Sequence, residues 1–165
     1  MDIGSIIFVL VIVLVCVVPI VLFQINQKKK EKRSLLILKS TADINNATIS
    51  EYDLWYNFLI GIDKTTHKLF FIRKTETEEV AKAIDLAEII GCKSLNKSRS
   101  VSYRGGNQLV VERIELVLSN RDKNKPDIIL EFYNSATDNP VMRNEIQLVE
   151  KWSGIVNKLL SESIK

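Results

Sequence analysis

From Ile3 to Phe23 the chain carries no charged residue, and only Gly4, Ser5, Cys16 and Pro19 interrupt a run of Ile, Val, Leu and Phe. At ~1.5 Å per residue a helix of that length reaches about 32 Å, close to the roughly 30 Å hydrocarbon thickness of a bilayer. The run is apolar all round, so the pattern predicts a spanning helix rather than a core helix of a small domain. Pro19 lies near one end, where lost helical bonding is cheaper than at the centre, and predicts a modest kink. A cleaved secretory signal fits less well: Met1 and Asp2 bring no basic charge, the apolar core is too long, and no small-x-small site follows. Nor do Val13, Leu14, Val15 and Cys16 make a lipoprotein box, which wants a small residue before its cysteine.

Beyond the run the pattern changes twice. Over 31–46, Leu35, Leu36, Leu38, Ala42 and Ile44 recur loosely at helical spacing until Asn45 and Asn46 break it, which predicts a short stalk helix continuing from the membrane. That stripe suits a packing element better than a coiled coil, since it amounts to little more than one heptad. From about Thr48 alternation takes over. Trp55 to Asp63 puts Phe58, Ile60 and Ile62 on one face, and Lys68 to Lys74 is dense in Leu69, Phe70, Phe71 and Ile72, with a polar turn between them that predicts a hairpin. Glu79 to Ile84, Cys92 to Val101, Leu109 to Leu118 and Asp127 to Tyr133 read as further strands, separated by turns at Gly105 to Asn107 and Asn120 to Pro126. A last, helical period follows. With Asp138 or Asn139 as N-cap and Pro140 in the first turn, Leu148, Val149, Trp152, Ile155, Val156, Leu159 and Leu160 draw one apolar stripe. Arg143, Asn144, Glu150, Lys151, Asn157 and Lys158 should face water. Such a helix is expected to cover the open end of the sheet and bury Trp152; a membrane-surface helix would need a more basic polar face.

Composition sharpens this. With 46% hydrophobic and 26% charged residues, three Pro and six Gly, the chain is neither disordered nor collagen-like. Two cysteines, Cys16 and Cys92, cannot build a disulfide framework or a cysteine metal cage. The net charge of +3 is local: Lys28, Lys29, Lys30, Lys32 and Arg33 surround a single acid, Glu31, whereas residues 51–165 hold 17 Lys and Arg against 17 Asp and Glu. By the cytoplasmic bias of Lys and Arg, that cluster keeps the following chain inside and sends the amino terminus across. The five bases are also expected to lie against anionic inner-leaflet lipids, or merely to set topology. Within the domain, residues 75–88 carry Glu76, Glu78, Glu79, Asp85 and Glu88 with one base, while 89–111 carry Lys93, Lys97, Arg99 and Arg104 with no acid. Either these stretches cancel across neighbouring strands, which is the favoured expectation, or the basic one forms a patch for an anion or an acidic partner. Nucleic acid is not expected, given the near-zero charge and few interleaved aromatics.

Chemistry-bearing motifs are few. His67 is the only histidine and falls in a turn, so a His-type zinc site cannot be assembled, and Cys92 reads as a small strand residue. Gly105 and Gly106 make a turn, with no phosphate-loop sequence after them. The segments YDLWYNFLIGIDKTTHKLFFI, IDLAEIIGCKSLNKSRSV, KPDIILEFYN and EIQLVEKWSGIVN resemble bacterial single-pass proteins in which a pleckstrin-homology-like (PH-like) domain follows an anchor. The resemblance covers roughly residues 50–162. It implies an α+β fold class: an N-terminal transmembrane helix, then an antiparallel sandwich or partly open barrel of about six or seven strands, capped by one C-terminal helix. The expected divisions are an anchor over 1–24, a basic segment and stalk over 25–47, and a PH-like domain over 48–165, placed in the cytoplasm beneath the bacterial inner membrane. Phosphoinositide-binding members resemble one another in a basic motif at the first hairpin; Lys64, His67 and Lys68, with Arg73 and Lys74 farther along, match it weakly. The implied function is non-catalytic and cofactor-free recognition of an unknown protein or peptide as an added strand beside the C-terminal helix. Two alternatives are self-association through Leu35, Leu36 and Leu38 or the spanning helix, and binding of anionic headgroups.

Overall fold

A computed structural model of the chain describes the backbone of residues 3–75, 79–103, 106–139 and 141–162; within these, the side chains of 3–14, 20, 23–27, 103 and 108 fall outside the description. The chain divides into two compact units, Met1–Ile37 and Leu38–Lys165.

The first unit is helical. Helix α1 (Ile3–Ile44) runs without interruption through Pro19 and the basic cluster, and its residues from Leu38 onward belong to the second unit. Val15, Val17, Val18, Val21 and Leu22 are exposed, as are Lys28, Lys29, Lys30, Lys32 and Arg33. Among the described residues no helix is long and apolar enough to cross a membrane. This corrects the expected spanning helix over Ile3–Phe23, and with it the single-pass, inner-membrane placement and the transmembrane part of the fold class. The helix that holds the apolar run is not a separate element of bilayer length but one continuous helix to Ile44 that passes through the charged segment 28–33. The run from Ile3 to Leu14 lies outside the described side chains.

The second unit is α+β, with two antiparallel sheets and a C-terminal helix. It opens on the end of α1, closed by a left-handed Asn46 (φ 52°), with Ala47 N–H donating to Ala42 O (3.0 Å) and Asn46 N–H to Asp43 O (3.0 Å). That is the Schellman ending, in which Asn substitutes for the usual Gly. Strands β1 (Glu51–Leu54), β2 (Phe58–Asp63), β3 (Lys68–Lys74) and β4 (Glu79–Asp85) form the first sheet in that order. After a 3-10 turn at Leu86–Glu88, β5 (Ile89–Tyr103), β6 (Gly106–Asn120) and β7 (Ile128–Asn134) form the second. The expected meander thus separates into sheets of four and three strands, and β4 does not pair with β5.

Strand β2 is buried on both faces, which explains its near-continuous apolar sequence. Phe58, Ile60 and Ile62 face the core between the sheets, where the rings of Phe58, Phe71 and Phe132 lie 4.6–5.7 Å apart. Leu59, Phe70 and Ile72 face outward and are covered by Leu38, Ala42 and Ala47. Leu38 approaches so closely that a Cβ on Gly61 would lie 2.9 Å from its Cδ2, so any larger residue here would have to displace the Leu38 side chain. Leu38 and Ala42 therefore act as the packing element their spacing suggested, while Leu36 (67% exposed) and Ile44 (82% exposed) take no part.

Helix α2 (Glu145–Glu162) packs its stripe of Leu148, Val149, Trp152, Val156, Leu159 and Leu160 into the main core, with Trp152 fully buried. It begins later than the sequence suggests. Asp138 is occupied by Arg73 and Asn139 Oδ1 accepts from Val141 N–H (3.0 Å), so neither caps the helix. Pro140 lies outside the described residues. Glu145 anchors the start instead: its Oε2 accepts from Arg143 N–H (2.6 Å) and its Oε1 from Trp55 Nε1 (3.1 Å).

Candidate functional site

The basic stretch falls on β5, where Lys93, Lys97 and Arg99 occupy alternate-face positions of one side and are all exposed. Arg104 lies outside the described residues, as do Glu76 and Glu78 of the acidic stretch. Cancellation between the two stretches does not occur by strand pairing, because β4 pairs only with β3. The described acids are engaged locally: Glu79 with Lys74 (3.1 Å), Glu88 with Lys125 (2.9 Å), and Asp85 as acceptor from Ala87 N–H in the 3-10 turn. The cations of β5 find acids on their own partner strand, Lys97 with Glu115 (2.8 Å) and Arg99 with Glu112 (3.0 Å). Glu115 is buried, and its Oε2 meets Lys97 as an ion pair without a directed hydrogen bond. Lys93 makes no ion pair among the described residues.

More informative is how the edges of the second sheet are treated. An unpaired strand edge is a template for another strand, and folds commonly block it with side chains. On the β5 side, Asn157 of α2 does so by mimicking a strand: its Oδ1 accepts from Cys92 N–H (3.0 Å) and its Nδ2 donates to Cys92 O (2.7 Å), with Ser153 Oγ 3.3 Å away. On the β7 side, Lys82 Nζ donates to Ile129 O (2.8 Å) and Arg73 Nη1 to Glu131 O (2.7 Å). The edges are blocked beside the core and open farther out. In an antiparallel strand both backbone groups of alternate residues point to the same edge, so Ser94 and Asn96 share the outward register of Cys92 and find no backbone partner among the described residues. Asn157, read from sequence as a water-facing residue, is the missed one; its partner is backbone, which leaves no trace in residue pattern.

Arg73 does more than cover an edge. It is buried (side chain 7% exposed), and its Nη2 lies 2.9 Å from Asp138 Oδ2 and 3.1 Å from Glu131 Oε1, tying the first sheet to β7 and the turn after it. The other bases of the weak phosphoinositide-type motif are engaged as well. Lys64 pairs with Glu51 (2.8 Å), Lys74 with Glu79, and Lys68 Nζ donates to Asn45 O (2.7 Å), so the motif presents partnered rather than free cations. His67 sits in the β2–β3 turn with φ 53°, and the turn is organised by Asp63. Buried Asp63 accepts from Thr65 N–H (2.8 Å), Thr66 N–H (3.2 Å), Thr66 Oγ1 (2.8 Å) and Thr48 N–H (2.7 Å). Burial alone would raise its pKa; the four bonds outweigh it and bring it from 3.8 to about 2.

For covalent chemistry the site offers little. Burial pushes the Cys92 thiol up to about 12, against a smaller lowering by the Ser153 hydroxyl, so it is not a ready thiolate. No group of three or more His, Cys, Asp or Glu that could hold a metal ion is found among the described residues. A shallow cleft of about 510 Å³ beside Tyr56, Lys74 and Asp138 has its carboxylate already committed to Arg73. No family model matches the chain, and comparison with curated proteins and with solved structures likewise gives no match.

Proposed function

We propose that the second unit is a PH-like, non-catalytic recognition module that takes a protein or peptide segment in extended form along the outer edge of β5. The observation that carries this reading is the unblocked edge at Ser94 and Asn96, immediately beyond Cys92, which Asn157 already occupies. A bound strand would continue the hydrogen-bond row where Asn157 leaves off. Lys93 and Lys97 flank that edge, and Lys93 makes no ion pair among the described residues, which favours acidic side chains in the ligand. The alternative of self-association through Leu35, Leu36 and Leu38 is less well supported, because Leu38 is fully buried against the first sheet and Leu35 is half-buried, which leaves Leu36 alone exposed.

The test is a decapeptide display selection against the full chain, followed by affinity measurement on Ser94→Pro and Asn96→Pro. Both N–H groups point away from β6, so proline there removes no ladder bond and the fold is retained. Selected peptides should lose at least about tenfold in affinity for the proline variants and keep it for Tyr56→Ala, a change at an exposed residue elsewhere. No enrichment, or binders indifferent to proline, would falsify the reading.

A further inference from the structure

The far edge of the β5–β6 ribbon is also open, and its chemistry differs from that of the β5 edge. Strand β7 accompanies β6 over Arg113–Leu118, and the final contact is Ser135 N–H donating to Glu112 O (2.9 Å). Past that rung β6 runs on through Val111 to Gly106 with β5 alone beside it. Glu112 is the extra residue of a bulge between the Lys97–Arg113 and Ser98–Val111 rungs, and unbulged β5 keeps the backbone of Cys92, Ser94, Asn96, Ser98, Ser100 and Ser102 turned away from β6. Val111, Leu109 and Asn107, opposite the last three, therefore turn their own backbone groups to the β7 side, and no described residue pairs with them. The segment Gly106–Val111, GNQLVV, holds no charge, and it exposes Leu109 (79%) and Val110 (40%). An uncharged, apolar, unblocked edge stands out in a sheet whose other edges carry Asn157, Lys82 and Arg73.

We infer that this edge pairs with the same edge of a second copy of the chain, antiparallel about a two-fold axis at Leu109. In that register Leu109 exchanges backbone N–H···O=C bonds with Leu109 of the other copy, and Asn107 and Val111 with its Val111 and Asn107, using the outward-pointing groups and no others. Leu109 meets its equivalent in a hydrogen-bonded pair, where Cα atoms lie about 5.5 Å apart and the two side chains stand side by side on one face. Val111 faces Asn107, and Glu112 faces Gly106, so no charge meets a like charge. A strongly charged partner would find no counter-charge on this segment, whereas a second copy supplies the same neutral surface, as an isologous two-fold contact requires. The product is a four-stranded sheet, β5-β6-β6-β5, across two chains. This contact uses the opposite edge of the ribbon from the peptide-binding reading, and either can stand without the other.

The experiment uses the full chain with Cys16→Ser, which leaves Cys92 as a buried thiol, and adds Leu109→Cys or, as control, Tyr56→Cys at a position 91% exposed. Under oxidised glutathione, Leu109→Cys should form a disulfide-linked dimer at least about tenfold faster than the control, since paired Cα atoms about 5.5 Å apart suit a disulfide. Equal rates would overturn the inference, including the case in which chains associate through α1. A charge-swap series keeps the conclusion independent of cysteine chemistry. Leu109→Lys and Leu109→Glu should each weaken association on sedimentation, and their mixture should restore it as a heterodimer. Failure of the mixture to exceed either variant alone would likewise overturn it.

Discussion

Two hairpins built from the same antiparallel rule have opposite fates in this fold. In β2–β3 six rungs are buried on both faces, and the turn is held by a carboxylate with four donors. In β5–β6 fourteen rungs are formed, but covered residues cluster at the end near β7 and α2, and the distal half carries Lys97, Arg99, Leu109 and Val110 in solvent. Ladder bonds are therefore not what separates a structural hairpin from an available one, since the longer ladder belongs to the more exposed element. Coverage of the two faces and blockage of the edges make the difference. The short hairpin lies within the core, and the long one leaves edge backbone groups without a partner among the described residues.

The sharpest way to break this contrast is to empty the covered hairpin. Phe71→Ala removes a ring that stacks on Phe58 and Phe132 in the core between the sheets, and it should cost about 3–5 kcal/mol, read from the shift of the denaturant midpoint. A loss under about 1 kcal/mol would mean that the site collapses freely and the core is looser than its packing implies. A smaller effect follows from the turn. Asp63 has a depressed pKa, so its stabilising contribution is complete above the unfolded value near 4 and is lost as pH falls towards about 2. Thermal melts between pH 5 and pH 2 should show a decline that Asp63→Asn flattens, with a cost at neutral pH of about 2 kcal/mol. An unchanged pH dependence in Asp63→Asn would show that this carboxylate does not carry the acid sensitivity.

How much of this was legible in residue order depends on the range of the interaction. The β2–β3 hairpin and the α2 stripe are local: alternation at Phe58, Ile60 and Ile62 and the 3.6-residue recurrence from Leu148 to Leu160 each reflect burial within one element. Strand β1 was missed because Glu51, Tyr52, Asp53 and Leu54 include two acids; Asp53 is there to accept from Trp152 Nε1 (2.8 Å) and Lys151 Nζ (2.6 Å) across 99 and 98 positions. The division into two sheets was equally hidden, since nothing in the alternation of Glu79 to Ile84 says whether its next neighbour is β3 or β5. Arg73 read as one base in a surface motif, yet it is the buried tie between sheets, because its acids come from Glu131 and Asp138 far along the chain. The long apolar run misled in the other direction, through composition alone. The stalk expected to continue from it is the end of the same helix, which runs to Ile44 and gives its last apolar stripe to a sheet.

The smallest expected effect is the one that best sharpens the contrast. Leu109→Ser exchanges an exposed apolar side chain for a small polar one on the distal ribbon, where it is 79% exposed and no core residue depends on it. Its stability cost should stay within about 0.5 kcal/mol, because substitutions away from cores, caps and buried networks rarely exceed that. Compared with Phe71→Ala, the same method on the same chain should thus differ by several-fold between two apolar positions of two hairpins. Self-association, in contrast, should fall with Leu109→Ser while Phe71→Ala measured below its unfolding midpoint leaves it in place. If Leu109→Ser instead destabilised the monomer by more than about 1 kcal/mol, the ribbon would be packed against something within its own chain, and the distinction between a covered hairpin and an open one would disappear.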